Sequence, residues 1–418
     1  MALLFLCLIF GTGRTQKIEA AVQNVPESLE EESRLDTVGT DQETERAAVR
    51  EKKGQQEKEA GDTETDQAAA AQDELLAELD FDAIQQEVDS LLSSQQLSFA
   101  GTVRSLLQDG DPFRIFRAGN AVLSCAKTAF LAQKGLMKEL FLLVLAGAVL
   151  GSFSSLFEGK QVRDASFYMV YLLALALILK NFQSSGENLK AVITSLVAFM
   201  RILTPSYYLA AAAAGGASSA VMFYQMLLLV ILAVEKLLLA LVLPMIHIYL
   251  LIALVNDLSG EEILSHMTEL LETCVNGLLK SSLGVLVGMQ MIRNLIAPAL
   301  DSLRQMALWR TAGMIPGIGN AVNAVTELVA GSAVLIRNCF GVTAMLVLLA
   351  AGMVPAVQLL VSGLSFRLLA AAAQPVSDKR IAGCLAAAGK GYAMLLRLLL
   401  TVEVLFLLTI AILAGTFS

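Results

Sequence analysis

The pattern of apolar and polar positions changes character three times along the chain. Residues 2–10 form an apolar run closed by Gly11-Thr12-Gly13 and followed by Arg14 and Lys17. A straight crossing of the hydrocarbon core takes about 20 residues, so residues 1–20 read as a signal-peptide-like segment. Residues 21–72 show no apolar periodicity and hold too few large apolar groups to offset ordering entropy; they read as a disordered acidic tail. From Asp73 onward, Leu76, Leu79, Ile84, Val88, Leu91 and Leu92 recur at helical spacing with acids between them. That pattern predicts an amphipathic helix opening a soluble or amphipathic helical region, 73–139. Its anionic polar face suits anionic lipid poorly, so it is expected to pack on its own protein.

From Leu140 to the end the hydropathy is nearly continuous, which defines a polytopic membrane domain over 140–418. Candidate spans fall at 140–157, 165–182, 191–213, 218–234, 237–255, 281–297, 339–358 and 398–416. The stretches 319–336 and 359–373 are apolar but rich in Gly, Ala and Ser, and are expected to be re-entrant or tucked between helices. The fold class is an all-α polytopic membrane protein with about six to nine transmembrane helices and broken segments.

Composition agrees: 56% of residues are apolar and 16% charged, against about 45–50% and about 25% in soluble domains. Mean hydropathy is +0.65. Charge is unevenly placed. Residues 21–80 carry eighteen Asp and Glu against six Lys and Arg, a net of −12, while the whole chain is −8; the rest is therefore +4. The acidic balance belongs to the tail. No Lys or Arg occurs over 237–279, whose loop carries Asp257, Glu261, Glu262, Glu269 and Glu272. By the positive-inside rule this loop is expected to face away from the cytoplasm, and the basic segments 293–310 and 379–397 to face it. Counting back then places the N-terminal region in the cytoplasm, opposite to a cleaved signal peptide. One of the candidate spans is thus expected not to be a full crossing.

Landmarks recur in order along the membrane region. Pro205 and Pro244 reappear as Pro316 and Pro355, both at a spacing of 111. Ser219-Ala220-Val221 returns as Ser332-Ala333-Val334 at 113, Ser259 with Ile263 as Ser377 with Ile381 at 118, and Leu278-Leu279-Lys280 as Leu395-Leu396-Arg397 at 117. The pattern predicts a two-fold internal repeat, a device by which transporters build a pathway along the repeat interface; duplication without any pathway is the plainer alternative.

Candidate chemistry is sparse. The five cysteines have no close pair, and two histidines, His247 and His266, are too few for a histidine-based metal site. No nucleophile elbow, phosphate loop, dinucleotide fingerprint or zinc-protease helix occurs; Gly317 and Gly319 lack the Lys-Ser/Thr and the preceding strand that a phosphate loop needs. No catalytic, cofactor-binding or metal residues are therefore assigned, and no basic run interleaved with aromatics points to nucleic acid. What remains are ionisable groups inside apolar runs, where a charge costs at least about 2.5–3.5 kcal/mol on insertion scales. These are Arg201, His247, Glu327 and Glu403, which either line a pathway or fix packing; Arg201 and Glu327 are candidates to pair with each other. Glu235-Lys236 reads as a solvated hairpin. Pro205, Pro244, Pro316 and Pro355 mark helix breaks.

The runs LPMIHIYLLIALVNDLS (243–259), IAPALDSLRQ (296–305), IPGIGNAV (315–322), TELVAGSAVLIRN (326–338), QPVSDKRIAGCL (374–385) and GKGYAMLLR (389–397) resemble the stage III sporulation protein AE family of endospore-forming bacteria. The resemblance covers about 140–418 and leaves the tail unmatched. It implies a membrane part of the assembly joining mother cell and engulfed forespore, in the mother-cell membrane around the forespore. It implies as partners the other products of the same operon, including a cytoplasmic ATPase, and a forespore membrane protein. The assembly is held to act as a channel or feeding conduit. A stand-alone secondary transporter and a purely structural membrane scaffold are the alternatives; an enzyme lacks any recognisable residue set.

The tail yields the first test. A chain lacking residues 21–72 but retaining 1–20 is expected to insert and accumulate like the full chain, as judged by immunoblotting of washed membranes. Loss of the inserted protein would assign the tail a structural partner.

Overall fold

A computed structural model describes residues 81–92, 98–109, 119–154, 160–213, 218–259, 264–312, 319–375 and 377–415, with side chains described for part of these. The chain divides into two units at Thr65/Asp66, and every described residue lies in the second. The signal-like segment, the acidic tail and Pro316 fall outside the described residues.

The described elements are all helical: α1 (Phe81–Leu91), α2 (Phe99–Asp109), α3 (Gly119–Ser154), α4 (Lys160–Ala213), α5 (Ser218–Leu237), a π-helical turn (Leu238–Val242), α6 (Leu243–Ser259), α7 (Ser265–Ala312), α8 (Gly319–Ala373) and α9 (Lys379–Gly415). Among them, five stretches are long and apolar enough to cross a membrane: Phe167–Tyr207, Gln225–Ser259, Ser265–Ile292, Gly331–Ala373 and Lys379–Ile412. Helices run unbroken through positions where the hydropathy dips, so several of the separate candidate spans share one helix. The separate spans 165–182 and 191–213 lie on one helix, α4, and 319–336, 339–358 and 359–373 all lie on α8. The Gly- and Ala-rich stretches are thus parts of one continuous helix. Ala is the best helix former, and Gly costs only about 1 kcal/mol in a helix interior. Helix α3 likewise runs through the 139/140 boundary that hydropathy suggests.

Prolines mark the helices unequally. Pro205 and Pro355 sit inside the unbroken helices α4 and α8. Pro244 follows the π turn, where the Leu243 N–H reaches back to the Leu238 carbonyl. Pro244 has no N–H, so its i−4 carbonyl loses a partner, and a one-turn widening is a common adjustment around such a gap. Helix-borne hydroxyls bond to their own preceding turn instead of to lipid: Thr204 to the Met200 carbonyl at 2.5 Å, Thr343 to Cys339 at 2.8 Å and Thr409 to Leu405 at 2.6 Å.

Helix directions follow from who meets whom. Gly352 lies against Glu403, Gly363 against Tyr392 and Gly389 against Arg367, so α8 and α9 form a close antiparallel hairpin. Pro375 follows the end of α8, and the Asp378 carboxylate caps the start of α9 by accepting from the Arg380 N–H at 3.0 Å. α6 also runs antiparallel to α9, Leu258 meeting Arg380 and Leu250 meeting Gly391. α4 runs parallel to it, Tyr171 meeting Cys384 and Asn181 meeting Tyr392. α7 is parallel too: Glu272 meets Lys390 and Asn276 meets Arg397, offsets of 118 and 121 residues. α9 is thus ringed by α4, α6, α7 and α8. Outward faces carry exposed apolar side chains such as Leu142, Met169, Leu229, Leu251, Leu295 and Leu364.

The amphipathic helix predicted near residues 76–92 packs on its own protein, as expected. Ile84 and Val88 of α1 are fully buried. Gln85 accepts the Phe99 N–H at 2.7 Å, tying α1 to the start of α2, and Ser98 accepts the Gly101 N–H at 3.1 Å as an N-cap. Phe99 then meets the Phe340 ring of α8 edge-on at 5.0 Å, with Phe81 and Tyr207 each 6.3 Å from Phe340. Phe340→Ala removes the ring at which α1, α2, α4 and α8 converge. It is expected to cost about 3–5 kcal/mol and to lower the melting temperature of the purified chain. A shift no larger than that of the exposed Leu364→Ala control would contradict this packing.

Candidate functional site: a polar seam on the central helix

Helix α9 needs close neighbours on several sides, and its sequence supplies the room. Gly383, Gly389 and Gly391 each have a neighbour where a Cβ would stand: the Asp257 carboxyl at 3.0 Å, Arg367 Cγ at 2.8 Å and the Phe182 ring at 3.0 Å. Small residues at such points let helix backbones approach. Between them α9 presents a series of polar side chains, each answered from a neighbouring helix.

At the N-terminal end of α9, the Tyr171 hydroxyl of α4 donates to the Leu254 carbonyl of α6 at 2.5 Å. It is also in hydrogen-bond contact with the Cys384 thiol. The Arg380 guanidinium donates to the Leu258 carbonyl at 3.3 Å and lies 5.5 Å from the Phe167 ring centroid, a cation–π distance. Ten residues on from Arg380, the Lys390 ammonium meets the Glu272 carboxylate of α7 at 2.6 Å and bonds the Tyr249 hydroxyl of α6. Arg397 donates to the Asn276 side-chain oxygen at 3.0 Å. The Lys390 side chain is 51% exposed, so this ion pair positions α7 more than it stabilises the fold, at about 0–1 kcal/mol.

These contacts correct the orientation drawn from charge. The acidic residues Asp257 and Glu272 and the basic residues Arg380 and Lys390 sit side by side at one end of the bundle. They cannot face opposite sides of a membrane. Glu269 and Glu272, assigned to a loop by hydropathy, are in α7. The positive-inside count misleads because Glu272, from the acidic segment, pairs with Lys390, from the basic one, within the fold.

Tyr392 is fully enclosed, with no exposed surface. Its hydroxyl accepts from the Asn181 amide at 2.6 Å and lies 3.2 Å from the Ser185 hydroxyl, both on α4. Its ring stacks on Phe366 of α8 at 5.3 Å and meets Phe182 edge-on at 5.2 Å. Phe182 in turn meets the His247 ring edge-on at 5.2 Å. His247 Nδ1 is 2.9 Å from the Leu243 carbonyl. A carbonyl only accepts, so that nitrogen carries the proton. The rest of the ring rests on Gly186, where an added Cβ would come within 2.6 Å of it. Farther along α9, Glu403 is buried, and its carboxyl occupies the space a side chain at Gly352 would need.

Of the four ionisable residues singled out in the sequence, the three whose side chains are described lie in different places. His247 lies between α4 and α6, and Glu403 between α9 and α8. Arg201 is exposed on α4 and acts electrostatically on Glu235 of α5. The side chain of Glu327 on α8 lies outside the described residues, so its pairing with Arg201 is undescribed. Glu235 corrects the hairpin reading: it is 4% exposed and sits in the helix that continues through the π turn. Pro205 and Pro244 are exposed, and Pro355 is half-buried. Sequence reasoning missed Tyr392 and Asn181, and also Arg337, which is 1% exposed on α8. The signal for Tyr392 was its setting, Gly389-Lys390-Gly391-Tyr392, where small residues flank a large polar ring. Among the described residues no three His, Cys, Asp or Glu gather in a metal-binding group.

Long apolar helices, hydroxyls turned back onto their own carbonyls and polar side chains answered inside the bundle define a multi-pass, all-α membrane protein. The chain belongs to the stage III sporulation protein AE family, whose sequence profile matches residues 97–416. The stage III sporulation protein AE of Bacillus subtilis (strain 168) is 22% identical over 291 residues, covering 69% of this chain and 73% of that protein. No solved structure matches the chain.

Tyr392→Phe keeps the ring and its stacking but strands the Asn181 amide. It is expected to cost about 1–3 kcal/mol, seen as a lower melting temperature of the purified full chain. An unchanged melt would show that Asn181 finds another acceptor and that Tyr392 is not the hub.

Proposed function

We propose that this chain, whose family membership gives it a role in sporulation, is a non-enzymatic membrane component of the mother cell–forespore channel complex, residing in the mother-cell membrane that surrounds the forespore. Its partners in this reading are the other membrane proteins of the same operon, the operon's ATPase and a forespore membrane protein. The observation that carries the proposal is the extent of the family match, which takes in the bundle from α2 to the end of α9. The seam on α9 adds support: its polar groups are met by neighbouring helices, as in a packing framework. A stand-alone secondary transporter needs coupling residues that line a water-filled path, whereas Glu403 is buried against Gly352 of α8.

The internal repeat belongs to the same proposal. Hydropathy landmarks pair α6–α7 with α8–α9, and two observations favour that pairing. Pro244 and Pro355 both lie in the helix that leads into a hairpin. The offsets of 118 and 121 residues at which α7 lies beside α9 match the landmark spacing of 117 between them. Equivalent positions are then neighbours, as in a tandem duplication.

The test is made in the native host during sporulation. A functional tagged copy, solubilised mildly after engulfment, is expected to bring down the products of its operon neighbours, and deletion of the gene is expected to halt forespore development. A chain that purifies alone, from a host whose deletion strain still forms spores at the parental frequency, would contradict the proposal.

A further inference from the structure

Glu403 is the only ionisable side chain from Leu398 to the C-terminus, and it is 7% exposed. Its own-helix neighbours Leu399, Val402 and Phe406 are each 0–1% exposed. Across the interface its carboxyl fills the notch above Gly352, flanked on α8 by the buried Leu348 and Ala351. This is a built pocket. A side chain as small as Ala at 352 would overlap the carboxyl oxygens where they now sit, so the glycine leaves the room the carboxyl fills.

Among the described residues Glu403 has no hydrogen-bond donor and no charged neighbour. On α8 only Cys339 is titratable between Arg337 and Arg367. Arg397 on α9 is turned to Asn276, and Lys390 to Glu272 of α7. From α6, Asp257 faces Gly383 and His247 faces Gly186; Arg201 of α4 acts on Glu235 of α5. An ionised carboxylate taken out of water without a partner is far costlier than the neutral acid, which needs only one acceptor. Backbone carbonyls of neighbouring helices are the kind of acceptor a membrane interior provides.

We propose that Glu403 and Gly352 form a proton-binding site in the membrane, the ligand being a proton held on the Glu403 carboxyl at the α8–α9 interface. The neutral acid fits the notch and lets the two helices close; loss of the proton places a bare charge between them and favours their separation. The site is thus a point at which proton availability acts on the packing of the central hairpin. The inference rests on this geometry and not on the proposed channel complex.

Dicyclohexylcarbodiimide, an apolar reagent that modifies protonated carboxyls buried in membranes, is the probe. The full chain in its native membranes is treated across a pH series, and peptides carrying Glu403 are quantified by mass spectrometry. Modification of Glu403 near neutral pH, falling as the pH is raised, is the expected result. No modification at any pH, with the chain intact and inserted, would mean an ionised or partnered carboxylate and would overturn the proposal. Glu403→Gln provides a second reading because the amide mimics the neutral acid. The proton-bound form is the one that packs, so the stability it contributes is full at acid pH, where the unfolded chain holds the proton too, and falls as the pH rises. The Gln variant is expected to match wild type at acid pH and to stay level as the pH is raised. A Gln variant that melts well below wild type at neutral pH would show that charge, not the proton, holds the hairpin together.

Discussion

A helix surrounded by other helices in lipid gains nothing from the hydrophobic effect, because lipid tails are as apolar as leucine. What holds α9 at the centre must then be close packing and satisfied polar contacts. Its antiparallel contact with α8 supplies both. Gly352, Gly363 and Gly389 bring the two backbones together, and the large side chains of one helix fill the places the other leaves empty. The remaining helices are placed by polar groups that α9 then presents: Tyr392 receives Asn181 of α4, Arg380 reaches the end of α6, and Lys390 reaches Glu272 of α7.

That arrangement explains why so many ionisable groups occur in an apolar chain without forming a recognisable catalytic set. Those on α9 are engaged by neighbouring helices, Arg380 by α6 and Lys390 and Arg397 by α7, and each contact fixes a register. His247 illustrates the point. A histidine three residues past a proline in an apolar run invites a functional reading, yet its ring is held by Leu243 and Phe182 and seated on Gly186. Glu403 differs in being seated without a described partner.

Much of the fold could be read from residue pattern alone. The membrane class followed from hydropathy, and the amphipathic helix around Ile84 and Val88 from its spacing. Family kinship followed from runs such as GKGYAMLLR. What the pattern hid has a physical reason in each case. Hydropathy windows fall wherever polar residues gather, but α4 carries Asn181 and Ser185 within an unbroken helix because Tyr392 satisfies them. Glu235 looked solvated because a Glu-Lys pair between apolar runs resembles a turn; only the packing of α5 shows it buried. Charge counting placed the acidic and basic segments on opposite sides, and could not foresee that they pair across helices.

The claim most open to direct trial is that α7 and α9 lie parallel, with residues 272 and 390 side by side. In a full chain whose native cysteines are replaced, Glu272→Cys with Lys390→Cys can be oxidised in intact membranes, after a protease site is introduced at 313–318. Following cleavage, the two fragments should remain joined by a reducible disulfide, while a Glu272→Cys, Glu403→Cys control releases them. Fragments that separate equally in both variants would show that the two segments do not share one end of the bundle, and the seam on α9 would have to be redrawn.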